Sequence, residues 1–107
     1  MGCYFQANIK IHNDEEYQKY LNECDQIFGK YNGKYIAVDR NPRILEGVWK
    51  YNRSVLIYFD TEHEFNRWYN SDEYQRILKH RLSGAKCDSI LINANLNSIR
   101  ILKDILK

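Results

Sequence analysis

The sequence predicts an α+β protein in which helices cover one side of a four-stranded antiparallel sheet. Two patterns lead to this class: strict alternation of apolar and polar residues, typical of strands, and apolar residues recurring every three or four positions, typical of helices. Along the chain these patterns follow the order strand, helix, strand, strand, helices, strand. A length of 107 residues is enough for one domain with one hydrophobic core.

The first half of the chain predicts two strands around one helix. Residues 4–11 alternate strictly between apolar and polar side chains and predict a half-buried strand. Asn13 and Glu16 have the spacing of a capping box, so a helix is expected to begin after Asn13. Its apolar stripe extends to Phe28. A turn signal then precedes the second strand, at residues 34–39.

The second half predicts two further strands and two helices. A short extended piece at 44–49 leads to residues 54–59, which are apolar on both faces and therefore belong in the middle of the sheet. Thr61 and Ser71 are expected to cap the two helices that follow. Residues 87–94 complete the sheet as a strand that is also apolar on both faces.

This order, βαββαβ, is that of the ferredoxin-like fold, which leaves one face of its sheet uncovered. A mixed face of that kind meets water, binds a flat ligand or packs against a second copy. Residues 95–107 predict an amphipathic C-terminal helix appended to a domain at 1–94. The residues expected on the open face are Tyr4, Gln6, Asn8, Lys10, Leu56, Tyr58, Leu91 and Asn93.

Composition and charge exclude several classes of function. The 16 basic and 14 acidic residues are too balanced for an electrostatic nucleic-acid binder. Since the sequence has neither an apolar run of about 18 residues nor a signal peptide, we expect no membrane partner and a cytoplasmic location. Three scattered cysteines indicate reduced thiols, and the three histidines form no ligand set, so no metal and no cofactor are expected.

Two motifs carry a resemblance to a known family. The segment Leu45-Glu46-Gly47 with Trp49, and the later segment 68–74 followed by Arg81, together resemble the domain of unknown function 1330 family over residues 4–94. The resemblance implies a dimeric α/β barrel, in which two ferredoxin-like subunits pair through their open sheet faces. It also implies a small-molecule pocket between the sheet and the helices.

The same resemblance implies a class of chemistry. Cofactor-free monooxygenases and isomerases share the scaffold, so we expect cofactor-independent proton-transfer or oxygenase-like chemistry on a small carbonyl or carboxylate compound. This chain departs from the family pattern at Tyr58, where a carboxylate is expected. Fold alone does not transfer function, and a non-catalytic dimeric binding or interaction module remains the alternative.

Glu46 and Arg81 are the candidate catalytic residues. Glu46 lies among apolar neighbours, where burial would make it a general acid or base. Arg81 lies on the apolar stripe of its helix and needs a carboxylate partner or an anionic ligand, because an unpaired buried charge is costly. Either the two residues form a structural ion pair, or Arg81 holds a small anionic ligand while Glu46 moves a proton. Both interpretations predict that they lie close together.

Four polar or aromatic residues are the candidate ligand contacts: Asn8 on the open sheet face, and Trp49, Tyr69 and Tyr74 as amphipathic rings. Helical spacing favours a core position for Tyr74, which makes Tyr69 the stronger candidate for a pocket wall. Asn8 needs no function, because polar residues are ordinary on a half-exposed strand.

Overall fold

A computed structural model describes residues 2–94 and confirms the α+β class. The four strands form one antiparallel sheet in the spatial order β2-β3-β1-β4. The predicted helix within residues 95–107 lies outside the described residues. The elements are β1 (Cys3–Ile11), α1 (Asp14–Phe28), a short 3₁₀ helix (Gly29–Tyr31), β2 (Lys34–Asp39), β3 (Arg53–Phe59), α2 (Glu62–Tyr69), α3 (Asp72–Gly84) and β4 (Ala85–Asn93).

The three predicted helix N-caps are confirmed. The side-chain oxygens of Asn13, Thr61 and Ser71 each accept a hydrogen bond of 3.1 Å from the backbone N–H three residues further on. Each bond satisfies an amide that the helix itself leaves without a partner, which contributes about 1 kcal/mol. The helices therefore begin where the short-range sequence signals predict.

The prediction for the open face of β4 is wrong by one residue. The register pairs Gln6 with Ile90, and directly opposite residues point to the same face of a sheet. Ile90 and Ile92 therefore lie on the open face, 58% and 42% exposed, in place of the predicted Leu91 and Asn93. A strand that is apolar on both faces has no alternation from which its orientation can be predicted.

Close packing of α3 on α1 fixes the position of the buried helix face. The carbonyl of Gly84 accepts hydrogen bonds from the backbone N–H groups of His12 and Asn13, each at 3.0 Å. A Cβ at Gly84 would lie 2.8 Å from the backbone nitrogen of Tyr17, so only glycine allows this approach. Arg81 lies about one turn earlier in α3, on the same buried face of the helix.

Residues 40–52, called the arm here, connect β2 to β3 without forming a strand. The extended piece predicted at 44–49 is thus irregular, and Gly47 adopts a positive φ of 87° within it. Leu45 and Val48 are 78% and 96% exposed. Large apolar side chains this accessible are typical of surfaces that contact another molecule.

Among the described residues, no helix is both long and apolar enough to cross a membrane.

Candidate functional site

A small cavity, called the inner cavity here, lies between the sheet and the two helices α1 and α3. Its volume of about 30 Å³ accommodates one or two water-sized groups, because a single water needs about 10 to 15 Å³ measured in this way. Most of its wall is apolar or aromatic. The polar side chains in the wall are Tyr17, Tyr20, Cys24, Tyr35, Arg53, Tyr74 and Arg81.

Arg81 reaches the inner cavity from α3 and is only 4% exposed. Its Nη1 donates a hydrogen bond of 3.1 Å to the thiol sulfur of Cys87, and its guanidinium lies 5.9 Å from the ring centre of Tyr20. No carboxylate between residues 2 and 94 lies within 4.0 Å of it, and its buried Nε has no hydrogen-bond partner there. Since arginine stays charged, a cation is buried here without a counterion among residues 2–94.

A second guanidinium, that of Arg53, also lines the inner cavity, from the start of β3. Its Nε is buried and likewise has no hydrogen-bond partner in the described part of the chain. The site prediction did not include Arg53. Its position directly before the buried strand was the available signal, because a long cation at a strand end can point its head under the sheet.

Buried tyrosine hydroxyls supply the neutral polar groups of the cavity. The hydroxyls of Tyr20 and Tyr74 lie 2.8 Å apart and share a hydrogen bond. Burial raises the pKa of Tyr74 to about 12 and that of Tyr20 well above its ordinary value. Burial also raises the pKa of the Cys24 thiol to about 11. These groups are therefore protonated at neutral pH, where they can donate hydrogen bonds.

The chemistry of the inner cavity follows from this set of groups. The two guanidiniums of Arg53 and Arg81 carry positive charge, and the phenols add neutral donors. No carboxylate or imidazole within residues 2–94 lines the cavity. The arrangement thus stabilises negative charge on a bound group, whereas it lacks a side chain that removes a proton at neutral pH.

Glu46 lies elsewhere, on the arm. It is exposed and lines an open pocket of about 510 Å³ together with other arm residues, among them Trp49. Glu46 makes no ion pair with Arg81 within the described chain, so the predicted proximity of the two residues is wrong for a single protomer. The physical reason is that the arm has no periodicity, so local apolar neighbours did not indicate burial.

The remaining candidate residues are also separated. Asn8 is half-buried on the open face, where its Oδ1 accepts a hydrogen bond of 3.2 Å from Ser54 Oγ. Tyr69 stacks on Phe65 in an aromatic cluster, with ring centres 5.4 Å apart, and does not line the inner cavity. Tyr74 does line it, although it is fully buried. Its burial confirms the predicted core position of Tyr74, and the cavity wall includes Tyr74 rather than Tyr69. Their roles as ligand contacts stay predictions.

Within the part of the chain that the structure describes, no group of three His, Cys, Asp or Glu side chains is placed to hold a metal ion.

Comparison with known proteins identifies relatives by family and by fold. The model of the family described as "Domain of unknown function (DUF1330)" matches residues 2–95. A search of curated proteins finds no match. A structure of a protein of unknown function from Rhodopseudomonas palustris has a TM-score of 0.74 at 14% identity, and the alignment covers 88% of this chain and 82% of that one.

Two further structures share the fold at low identity. A dimeric ferredoxin-like protein of unknown function from Jannaschia sp. CCS1 has a TM-score of 0.67 at 8% identity, with 88% of this chain and 100% of that chain covered. SnoaB, a cofactor-independent oxygenase from Streptomyces nogalater, has a TM-score of 0.62 at 14% identity, with 88% and 93% covered. These likenesses confirm the ferredoxin-like fold of the described domain.

Proposed function

The chain belongs to the DUF1330 family, and from that premise we propose that it forms a homodimeric α/β barrel that binds a small anionic carbonyl or carboxylate compound at Arg81. One observation carries the binding proposal. Arg81 is buried beside a cavity without a carboxylate counterion among residues 2–94. Removing a guanidinium from water costs several kcal/mol, and an anionic ligand in the cavity would offset that cost.

The size and donors of the cavity define the group that binds there. A volume of about 30 Å³ suits the head of a carboxylate or an enolate oxygen rather than a whole metabolite. The available donors are Arg81, Arg53 and one hydroxyl of the pair formed by Tyr20 and Tyr74, since the other hydroxyl of the pair donates to its partner. A charge-assisted hydrogen bond from a buried guanidinium is about twice as strong as a neutral one.

Catalysis is the second candidate function. Its support is the fold likeness to SnoaB, a cofactor-independent oxygenase, together with donors suited to a developing oxyanion. Proton transfer or oxygenase-like chemistry at a carbonyl compound would place the negative charge of an enolate beside Arg81. A proton acceptor is absent from the cavity wall within residues 2–94, which favours ligand binding as the primary function.

The open sheet face supports the homodimer. Ile90 and Ile92 expose apolar surface there, and a solved structure of the same fold is described as a dimer. A two-fold arrangement would cover the same patch on both copies. Replacing Ile90 by Lys should give a monomer by native mass spectrometry, because a charge would be buried in each half of the interface. If the Ile90→Lys variant remains a dimer, the interface does not lie on this face.

Thermal unfolding with added sodium acetate tests the anion site, with sodium chloride at the same ionic strength as reference. We expect acetate to raise the Tm saturably by several degrees, since a ligand at ten times its Kd stabilises by about 1.4 kcal/mol. Arg81→Met should abolish the rise. Arg76→Met is the matched control, because Arg76 lies on the exposed side of α3 in an ion pair with Glu23.

The outcomes separate binding from general salt effects. A rise that survives in Arg81→Met, or one that chloride reproduces fully, would contradict a carboxylate site at Arg81. If Arg81→Met fails to fold, Arg53→Met probes the other guanidinium of the cavity in the same measurement and should weaken the acetate effect.

A further inference from the structure

A second, larger space lies directly outside the inner cavity. This outer groove, of about 370 Å³, runs between α1 and the β2–β3 edge of the sheet. Its apolar side chains include Leu21 and Val38, and Val38 is 46% exposed. Pockets that hold small organic ligands have volumes of about 300 to 1,000 Å³, so the outer groove has the size that the inner cavity lacks.

The inner cavity and the outer groove share a wall. Cys24, Tyr35 and Arg53 line both spaces. The Tyr35 hydroxyl donates a hydrogen bond of 2.9 Å to Asp25, and its ring packs on Phe28 with ring centres 4.7 Å apart. Tyr35 is 41% exposed, so its side chain stands at the boundary between solvent and the buried guanidiniums.

Resting on the function proposed above, we infer that the two spaces form one site for a monocarboxylate with an apolar body. The carboxylate head binds Arg81 and Arg53 in the inner cavity, and the body crosses the wall beside Tyr35 to lie in the outer groove. A compact anion such as acetate occupies only the first part of this site. Burial of the apolar body against Leu21 and Val38 then adds affinity.

Asp25 narrows the ligand class further. Its carboxylate lines the outer groove, where the part of the ligand beyond Tyr35 would lie. A second carboxylate on the ligand would face Asp25, and like charges at short range repel. Arg53, which also lines the outer groove, is then already bound to the carboxylate head. The site therefore selects acids with one charged end and one apolar end over dicarboxylates of the same length.

Isothermal titration of the full chain with acetate, butyrate, hexanoate and adipate tests this class. A fully buried methylene contributes about 0.8 kcal/mol, or about fourfold in Kd, and half of that burial gives about twofold. We therefore expect hexanoate to bind at least about tenfold more tightly than acetate. Adipate, which matches hexanoate in length but carries two carboxylates, should bind about tenfold more weakly than hexanoate.

Two variants of β2 locate the apolar body. Val38→Asn places an uncharged polar group in the outer groove and should reduce the affinity for hexanoate more than the affinity for acetate, so that the advantage of hexanoate shrinks. Ile36→Asn is the matched control, because Ile36 lies on the same strand at 53% exposure and does not line the groove. It should leave the whole series unchanged.

Each result has a separate meaning. Equal affinities for acetate and hexanoate, or adipate as tight as hexanoate, would overturn the two-part site while the anion site at Arg81 stands. Binding of hexanoate that persists in Arg81→Met would overturn it as well, since the head would then not lie in the inner cavity. If acetate and hexanoate both fail to bind, the anion site and the two-part site fall together.

Discussion

Arg81 in the inner cavity and Glu46 on the arm are the two candidate catalytic residues, and their surroundings are opposite. Arg81 is 4% exposed and packed among aromatic rings. Glu46 is exposed on the arm, where neighbouring Val48 is 96% exposed. The inner cavity encloses about 30 Å³, whereas the pocket of the arm is an open space of about 510 Å³.

The difference shows that the volume of a pocket and the need of its charged side chains for a counterion are separate criteria for a binding site. The pocket of the arm is larger, but in water a charge such as that of Glu46 is already solvated and needs no partner. The inner cavity is small, but the guanidinium of Arg81 is buried there, so each interaction with it is stronger. Binding of a small anion is therefore expected in the smaller of the two spaces.

The largest gain in stability is expected on replacing Arg81 by Met in the ligand-free protein. Exchanging a buried charge for an apolar side chain of similar length often stabilises a protein, so the free energy of unfolding should rise by about 1 kcal/mol or more. Urea denaturation without added carboxylate measures it. A loss of about 3 kcal/mol or more would instead assign Arg81 a structural role, because breaking a buried pair has that effect.

Removing one tyrosine hydroxyl from the inner cavity and one from the arm should change the free energy of unfolding by different amounts. Tyr74→Phe leaves the buried hydroxyl of Tyr20 without its partner, which should cost about 1 to 3 kcal/mol of unfolding free energy. Tyr51→Phe removes an arm hydroxyl that donates to exposed Asp88, and should change stability by about 0.5 kcal/mol or less. Chemical denaturation of both variants measures the difference, and equal losses would contradict it.

A double variant provides the control for the buried pair. Tyr20→Phe with Tyr74→Phe removes both hydroxyls, so no unpaired polar group remains and the loss should be smaller than the sum of the single losses. Strictly additive losses would mean that the two hydroxyls contribute independently.

The success of prediction across the fold follows how local each signal is. Asn13 and Ser71 cap helices through bonds to amides three residues away, so short spacing was enough to place both helix starts. The open face of β4 depends on which residue pairs with Gln6, a contact 84 positions apart in the chain. That register is decided by tertiary packing, and a strand apolar on both faces gives no local sign of it.

The site residues, too, could be predicted only where the sequence signal is local. The helical stripe of α3 placed Arg81 on the buried face, and the structure confirms that burial. The position of Arg53 at the cavity depends on how β3 packs under α1, which no spacing in the sequence encodes. Glu46 was assigned from its apolar neighbours, but in an irregular segment such neighbours do not establish burial.

Alkaline pH should weaken the protein through the inner cavity. The pKa of Cys24 is raised by burial from 9.0 to about 11 in the folded state. Above pH 9 the unfolded chain releases this proton first, so stability is full below pH 9 and falls as the pH rises through 11. Urea denaturation between pH 8 and 11 measures the slope, which should be shallower in Cys24→Ser. An unchanged slope in that variant would exclude the thiol as the cause.

The smallest effect is expected for Glu46→Gln, the replacement on the arm that matches Arg81→Met in the inner cavity. Since Glu46 is exposed and lines a different pocket, the variant should keep the acetate affinity and the unfolding free energy of the parent, within about 0.5 kcal/mol for the latter. Titration with acetate and urea denaturation measure both. A tenfold or greater change in acetate affinity would contradict the separation of the two regions within one protomer. In a homodimer, that result would indicate that the arm of one copy enters the site of the other.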